Sequence, residues 1–294
     1  MSWRASIVFI SLCVIWGLPY FLIKIALVDF SPAVVAWGRI ALGAAILLPI
    51  AWHRGVLRPL LAHKAAVVGF AVAELVIPFF TVAQGERWIS SSMAGILIAT
   101  VPMTVVMLAP AFGLKEPLGA RRIAGLAVGF CGVIALLGID RISGPLQWAG
   151  VCCMLAAVIG YAAGPLIVQR YLRDVDELGA LAASLAIAAL ILLPPAVLTA
   201  PDHVPAVPAI AAIAALGIVC TTLAMLLYFY LINAAGAARA SVVAYINPAV
   251  AALLGVLVLG EHFGLGSSLG LALILGGSWL ATQRSPAAVA PAST

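Results

Sequence analysis

Three charged side chains lie inside stretches that are otherwise apolar: Lys24, Arg39 and Glu74. A charge in hydrocarbon is costly and persists where it meets a partner, a water-filled cavity or the headgroups. Glu74 stands in "GFAVAELVIPFF" (69–80), ten residues from Lys64 and ten from Gln84. At about 1.5 Å per residue it lies about 15 Å from either end of its run, deeper than any other charge. A carboxylate at that depth can take the amine of a solute or a proton, or it can form a buried ion pair with Arg39. Arg39 lies seven residues into the preceding apolar run, at 32–52, and reads as a structural or gating cation. Lys24, about one turn from the end of the first run, can snorkel to the headgroups or serve the same site.

Prolines and aromatics interrupt the same runs. Pro19, Pro78, Pro102, Pro165 and Pro248 each remove a backbone donor and can kink a helix, and freed carbonyls at such breaks can face a cavity. Pro102 and Pro248 stand 14 and 13 residues before Glu116 and Glu261, and read as a matched pair of hinges. Trp16, Tyr20, Phe79, Phe80, Tyr161, Tyr228, Tyr230 and Tyr245, with Asn247 and Gln84, describe a mixed aromatic and polar wall, although any one of them could simply pack or face lipid. Such a wall suits an amphipathic solute of modest size. A phosphate ester would need clustered arginine or lysine, and the runs hold only Lys24 and Arg39.

The elements that carry these residues follow from composition. The chain has 294 residues, 65% hydrophobic and 9% charged, with mean hydropathy +1.22. A soluble domain carries roughly 25% charged residues, so this chain cannot cover a water-facing surface. Apolar runs of the length needed to cross about 30 Å of hydrocarbon recur throughout. The reading is an all-α polytopic membrane protein with the lipid bilayer as its first partner. The net charge of +5 then reports orientation and is no sign of nucleic acid. The first run, Ala5 to Val28, is too long for a signal-peptide core and is expected to be a transmembrane helix. Cys13, Cys131, Cys152, Cys153 and Cys220 have no metal or disulfide spacing and read as small buried hydrophobes.

Ten spans are predicted, at about 7–27, 32–52, 64–84, 90–111, 121–138, 146–169, 178–200, 207–231, 240–259 and 265–282. They form a single transmembrane domain over 1–282, followed by a disordered cytoplasmic tail at 283–294. With the N-terminus cytoplasmic, that side collects Arg4, Arg54, Arg58, Lys64, Lys115, Arg121, Arg122, Arg170, Arg173, Arg239 and Arg284, against Arg87 and Arg141 on the other. Eleven against two puts both termini in the cytoplasm.

The halves also resemble each other. "ILLP" at 46–49 recurs at 191–194, and Glu116, Gly125 and Gly132 recur as Glu261, Gly270 and Gly277. Repeat one covers about 1–138 and repeat two about 146–282. Five spans per repeat is an odd number, so the second is inverted, the architecture of alternating access around a site near mid-membrane. Gly125-x3-Gly129 and Gly266-x3-Gly270 allow close helix contact, within a monomer or across a weak homodimer.

"WGLPYFLIK" (16–24) and "FSPAVVAWGR" (30–39) resemble the opening of the EamA-type transporters of the drug/metabolite transporter (DMT) superfamily. "LKEPLGARRIAGLAVGFCGVIALLG" (114–138) and "LGEHFGLGSSLGLALILGGSWLA" (259–281) resemble that family's repeat-ending signature. The resemblance covers roughly 7–282. It implies ten helices around a central cavity lined mainly by the first, third and fourth helices of each half, an arginine at Arg39, and metabolite export, often of amino acids or related compounds. On that basis the substrate-binding candidates are Glu74, Trp16, Tyr20, Phe79, Tyr161, Tyr228, Tyr245 and Asn247. The structural or gating candidates are Arg39, Lys24, Pro19, Pro102 and Pro248. The partners are a small-molecule solute and, as a further candidate, a proton.

Other classes fit less well. There is no HExxH run, and His53, His63, His203 and His262 all lie in loops, so an intramembrane enzyme is not indicated and no catalytic residue, metal or cofactor is expected. A channel would show polar stripes through several spans. No GxxxxGK[ST] run is present, so uphill transport would be secondary or driven by another protein. A multidrug or quaternary-cation exporter is the alternative transporter, and a non-transporting scaffold the alternative class.

Overall fold

In hydrocarbon every backbone polar group must find its partner within the protein, and a helix does so within one segment. The computed structural model describes residues 2–114, 119–139, 144–236 and 242–283. Those residues form helices joined by short loops, with no strand among them. The segments are α1 (Trp3–Ala26), α2 (Pro32–His53), α3 (Arg58–Gly85), α4 (Ser91–Phe112), α5 (Ala120–Ile139), α6 (Pro145–Tyr171), α7 (Glu177–Leu198), α8 (Val207–Ala235), α9 (Val243–Leu257) and α10 (Leu265–Thr282). All but α9 are long and apolar enough to cross a membrane. Lys115, Glu116, Arg141, Ser143, Arg239 and the tail from Arg284 lie outside the described residues.

Several ends differ from expectation for local reasons. α1 begins at Trp3 because the Ser2 hydroxyl accepts from the Ala5 amide and caps it. α3 gains a 3-10 stretch, Arg58–His63, ahead of its first α-helical residue, Lys64. α8 runs on to Ala235, where Gly236 at φ +85 ends it.

Interruptions inside the helices mark where side chains are redirected. α1 breaks at Trp16–Gly17 and restarts with Pro19 in its first turn. α4 breaks at Ala99–Thr100 and restarts with Pro102 in its first turn. Pro248 differs: it lies within the continuous helix α9. The two prolines expected as a matched hinge pair are thus equivalent in sequence and unlike in backbone. α3 and α8 each contain a six-residue π-helical stretch, Ala71–Val76 and Ile218–Leu223. π-helical turns gather at functional sites. In α3 the cause is legible, because Pro78 cannot donate to the Glu74 carbonyl four residues earlier. In α8, Thr221 and Thr222 instead donate their hydroxyls to the carbonyls of Leu216 and Gly217, at 2.9 and 3.0 Å.

The two halves interlock. α2 packs along α7 and against the π stretch of α8, while α7 packs against the π stretch of α3. α5 and α10, the last helices of the two repeats, meet through glycine. A Cβ on Gly277 would strike the Gly129 and Gly125 backbone, and one on Gly132 would come within 2.8 Å of the Ile274 amide. The Gly125 and Gly270 surfaces are therefore used inside the monomer.

Candidate functional site

The π stretch of α3 aims Glu74 at α6, where its Oε2 lies against Gly164 and has no hydrogen-bond partner. A Cβ at position 164 would also stand 2.9 Å from the Glu74 Cβ and Cδ, so glycine makes the room for the carboxyl group. Tyr161 on α6 and Tyr228 on α8 lie within electrostatic reach of Glu74. Tyr228 stacks at a tilt on Trp16, ring centroids 4.9 Å apart, at the break in α1. Phe79 meets Tyr161 edge-on at 6.3 Å. Pro165, four residues beyond Tyr161, leaves the Tyr161 carbonyl without its usual helical donor, as Pro78 does for Glu74.

Arg39 does not pair with Glu74. Its Nε donates to Thr221 Oγ1 at 2.8 Å, and its guanidinium carbon stands 3.9 Å from the centroid of the Phe79 ring. Thr221 is the fourth residue of the second π stretch, as Glu74 is of the first. One inverted repeat thus offers a carboxyl at this level, and the other a hydroxyl that holds the arginine. Arg39 is 8% exposed, so it is a buried cation satisfied by a hydroxyl and an aromatic face.

Other candidates are placed elsewhere. Tyr245 turns its hydroxyl to Thr282 Oγ1 on α10 at 2.7 Å, away from the Glu74 group. Asn247, with its amide as donor, bonds to the carbonyls of Val243 at 2.9 Å and Cys13 at 3.2 Å, fastening α9 to the break in α1. The break in α4 is fastened likewise, Ser278 Oγ donating to the Ala99 carbonyl at 3.0 Å. Lys24 does not reach outward. Its Nζ donates to the backbone carbonyls of Glu86 and Ile89, at 2.5 and 2.7 Å, in the α3–α4 loop.

That loop and the start of α4 meet two carboxylates to which sequence reasoning gave no site role, Glu86 and Glu261. Glu261 crosses from the α9–α10 loop to the N-terminus of α4. Its oxygens accept from the Ser91 amide at 2.7 Å, and from the Ser92 amide and hydroxyl at 2.9 and 2.7 Å. Burial would push its carboxyl up, but the hydrogen bonds from Ser92 and Ser91 outweigh this and hold it below the ordinary glutamate value. Glu86 lies in "QGERW", a break between spans, yet is completely buried. Tyr20 links the two regions, its phenol interacting electrostatically with Tyr161 and Arg39 on one side and Glu86 on the other. The only sequence signal for this loop was Lys24, an unexplained cation one turn below it.

A cross-packed pair of inverted five-helix repeats, with helix breaks and a lone acid at mid-depth, matches one family model twice, over residues 3–138 and 148–283: the EamA-like transporter family. The chain belongs to that family. Among EamA-like relatives, the "Uncharacterized inner membrane transporter YedA" of Escherichia coli (strain K12) is 29% identical over 261 residues, 85% of this chain and 81% of its own. The "Uncharacterized transporter YoaV" of Bacillus subtilis is 23% identical over 93% of this chain and 94% of its own. "Protein PagO" of Salmonella typhimurium is 27% identical over 53% of this chain and 52% of its own. A crystal structure described only as that of a protein shares the fold at TM-score 0.67 and 21% identity, over 95% of this chain and 97% of that one. An EamA-like chain is a multi-pass membrane protein of transporter type, with lipid around it and a small solute as cargo.

Proposed function

We propose that this chain is a secondary exporter of small amphipathic metabolites, amino acids or related compounds, working by alternating access. The observation that carries the reading is the Glu74 carboxyl, without a hydrogen-bond partner for its Oε2 and within electrostatic reach of Tyr161 and Tyr228, whose rings meet Phe79 and Trp16. A solute amine supplies the donor Glu74 lacks, and the aromatic rings cover the apolar part of the solute. Arg39, held by Thr221 and Phe79, is not spent neutralising the acid, which supports a site role for Glu74 over a structural one. A proton on Glu74 is the natural occupant when the solute has left. The charge asymmetry of the loops favours a cell-membrane (inner or plasma membrane) protein with both termini cytoplasmic. The glycine faces engaged between α5 and α10 favour a monomer, and neither catalysis nor a cofactor is part of this reading.

The competing reading is a multidrug or quaternary-cation exporter, favoured by the same acid and aromatic wall. Purified protein in proteoliposomes, offered a panel of radiolabelled amino acids and quaternary amines, separates them. Uptake of amino acids that fails in Glu74→Gln supports the proposal. Transport of quaternary amines alone refutes it in favour of the rival, and no uptake of either class, in a protein that still folds, points to a scaffold.

A further inference from the structure

Glu86 closes α3 at the end of the bundle away from the N-terminus. It is 0% exposed, and neither carboxylate oxygen has a hydrogen-bond partner. The charged and titratable groups around it come from four places. Lys24 and Tyr20 lie on α1, and Glu261 on the α9–α10 loop. Cys153 on α6 packs against the neighbouring Gly85. Arg87, next in sequence, is exposed and turns toward the Trp88 ring. Lys24 spends its ammonium on the carbonyls of Glu86 and Ile89. Glu261 is already seated on Ser91 and Ser92. One cation and one anion thus balance, and a second carboxylate charge, without a donor, would be buried and uncompensated.

We propose that Glu86 is a proton-binding site and that its proton keeps this end of the bundle closed. The protonated carboxyl leaves Lys24 on the two carbonyls, which pins residues 86–89 and so the start of α4 where Glu261 sits. When the Glu86 O–H bond breaks, the proton passes to water on that face. The new carboxylate then draws the Lys24 ammonium away from the carbonyls. The loop is released, Ser91 and Ser92 move, and Glu261 loses its seat. Burial pushes the Glu86 carboxyl well above the ordinary range, Lys24 draws it back, and Glu261 pushes it up again. A sodium ion does not fit, because the carbonyls that would ligate it already hold Lys24. Tyr20, between Glu86 and the Arg39–Tyr161 group, gives the solute site and the proton site a common neighbour. The inference stands whether or not Glu74 binds the solute.

The test uses the full-length protein in nanodiscs and no solute. Hydrogen exchange of the Ser91 and Ser92 amides, corrected for intrinsic rate, is followed from about pH 5 to about pH 9. Wild type should lose protection by about tenfold per pH unit across the titration, the slope of one-proton linkage. Glu86→Gln, a permanent neutral mimic, should hold its protection throughout, and Glu86→Asp should keep a slope. Glu74→Gln should leave the slope as in wild type, which separates a failure here from a failure of the solute site. Infrared spectra at neutral pH, taken in the Glu74→Gln background so that Glu74 contributes no protonated carboxyl, should show a protonated-carboxyl band that disappears when Glu86→Gln is added. An unchanged slope in Glu86→Gln, a band that survives it, or protection that follows sodium at fixed pH would overturn the proposal.

Discussion

Two double-mutant cycles on Arg39 discriminate between the contacts open to it. If Arg39 and Glu74 formed a buried pair, removing one partner would cost about 3–5 kcal/mol by stranding the other charge, and Arg39→Gln would rescue Glu74→Gln. The structure instead spends the guanidinium on Thr221 and Phe79. The Arg39→Gln/Glu74→Gln cycle should therefore give a coupling within about 0.5 kcal/mol of zero. A hydrogen bond to a charged group contributes about 1.5–3 kcal/mol in soluble proteins, while polar pairs inside membranes rarely exceed about 1.7 kcal/mol. The Arg39→Gln/Thr221→Val cycle should accordingly give about 0.6–1.7 kcal/mol, the range such pairs show inside membranes. Both cycles can be read from reversible unfolding in mixed micelles titrated with a denaturing detergent, in the same preparation. Rescue of Glu74→Gln by Arg39→Gln amounting to about 2 kcal/mol or more would refute the reasoning, because only a direct buried pair has that signature. A null Arg39–Thr221 coupling would refute the other half.

Three further outcomes are expected. Glu261 has a depressed carboxyl value, so its stabilising bonds to Ser91 and Ser92 are fully present above the unfolded value of about 4.3 and are lost as pH falls through the lower folded value. The gap in unfolding midpoint between wild type and Glu261→Gln should accordingly close on acidification below that point, and a gap that widens would contradict the seat described. Pro102→Ala restores a donor at the break in α4 and should slow transport, while Pro248→Ala, inside an unbroken helix, should matter less; equal initial rates in both mutants and wild type would remove the hinge reading. In a cysteine-free background, Val204→Cys should react with an impermeant maleimide added to intact cells and Arg173→Cys should not, and the reverse pattern would invert the proposed orientation.

The sequence alone determined what depends on solvent and periodicity. Apolar runs marked out ten helical segments and their order, nine of them among the described residues long and apolar enough to cross a membrane, because hydrocarbon demands a minimum run of apolar residues wherever the chain crosses it. Charge scarcity singled out Lys24, Arg39 and Glu74, because each is costly where it stands. The repeat was legible in "ILLP", Gly132 and Gly277, since the two halves reuse one packing solution. Tertiary structure decided which groups meet. Spacing placed Arg39 and Glu74 at similar depths on adjacent spans, but direction around a helix depends on the π stretches, and these sent Arg39 to Thr221 in the other repeat. Tyr245 and Asn247 looked like cavity residues by type, yet Tyr245 bonds to Thr282 on the next helix, α10, and Asn247 to the Cys13 carbonyl on α1. Glu86 and Glu261 read as loop charges because loops are ordinarily wet. The fold buries Glu86 completely and seats Glu261, only partly buried, on the helix end of the other repeat, and contacts of that kind are a property of the assembled halves, invisible in either one.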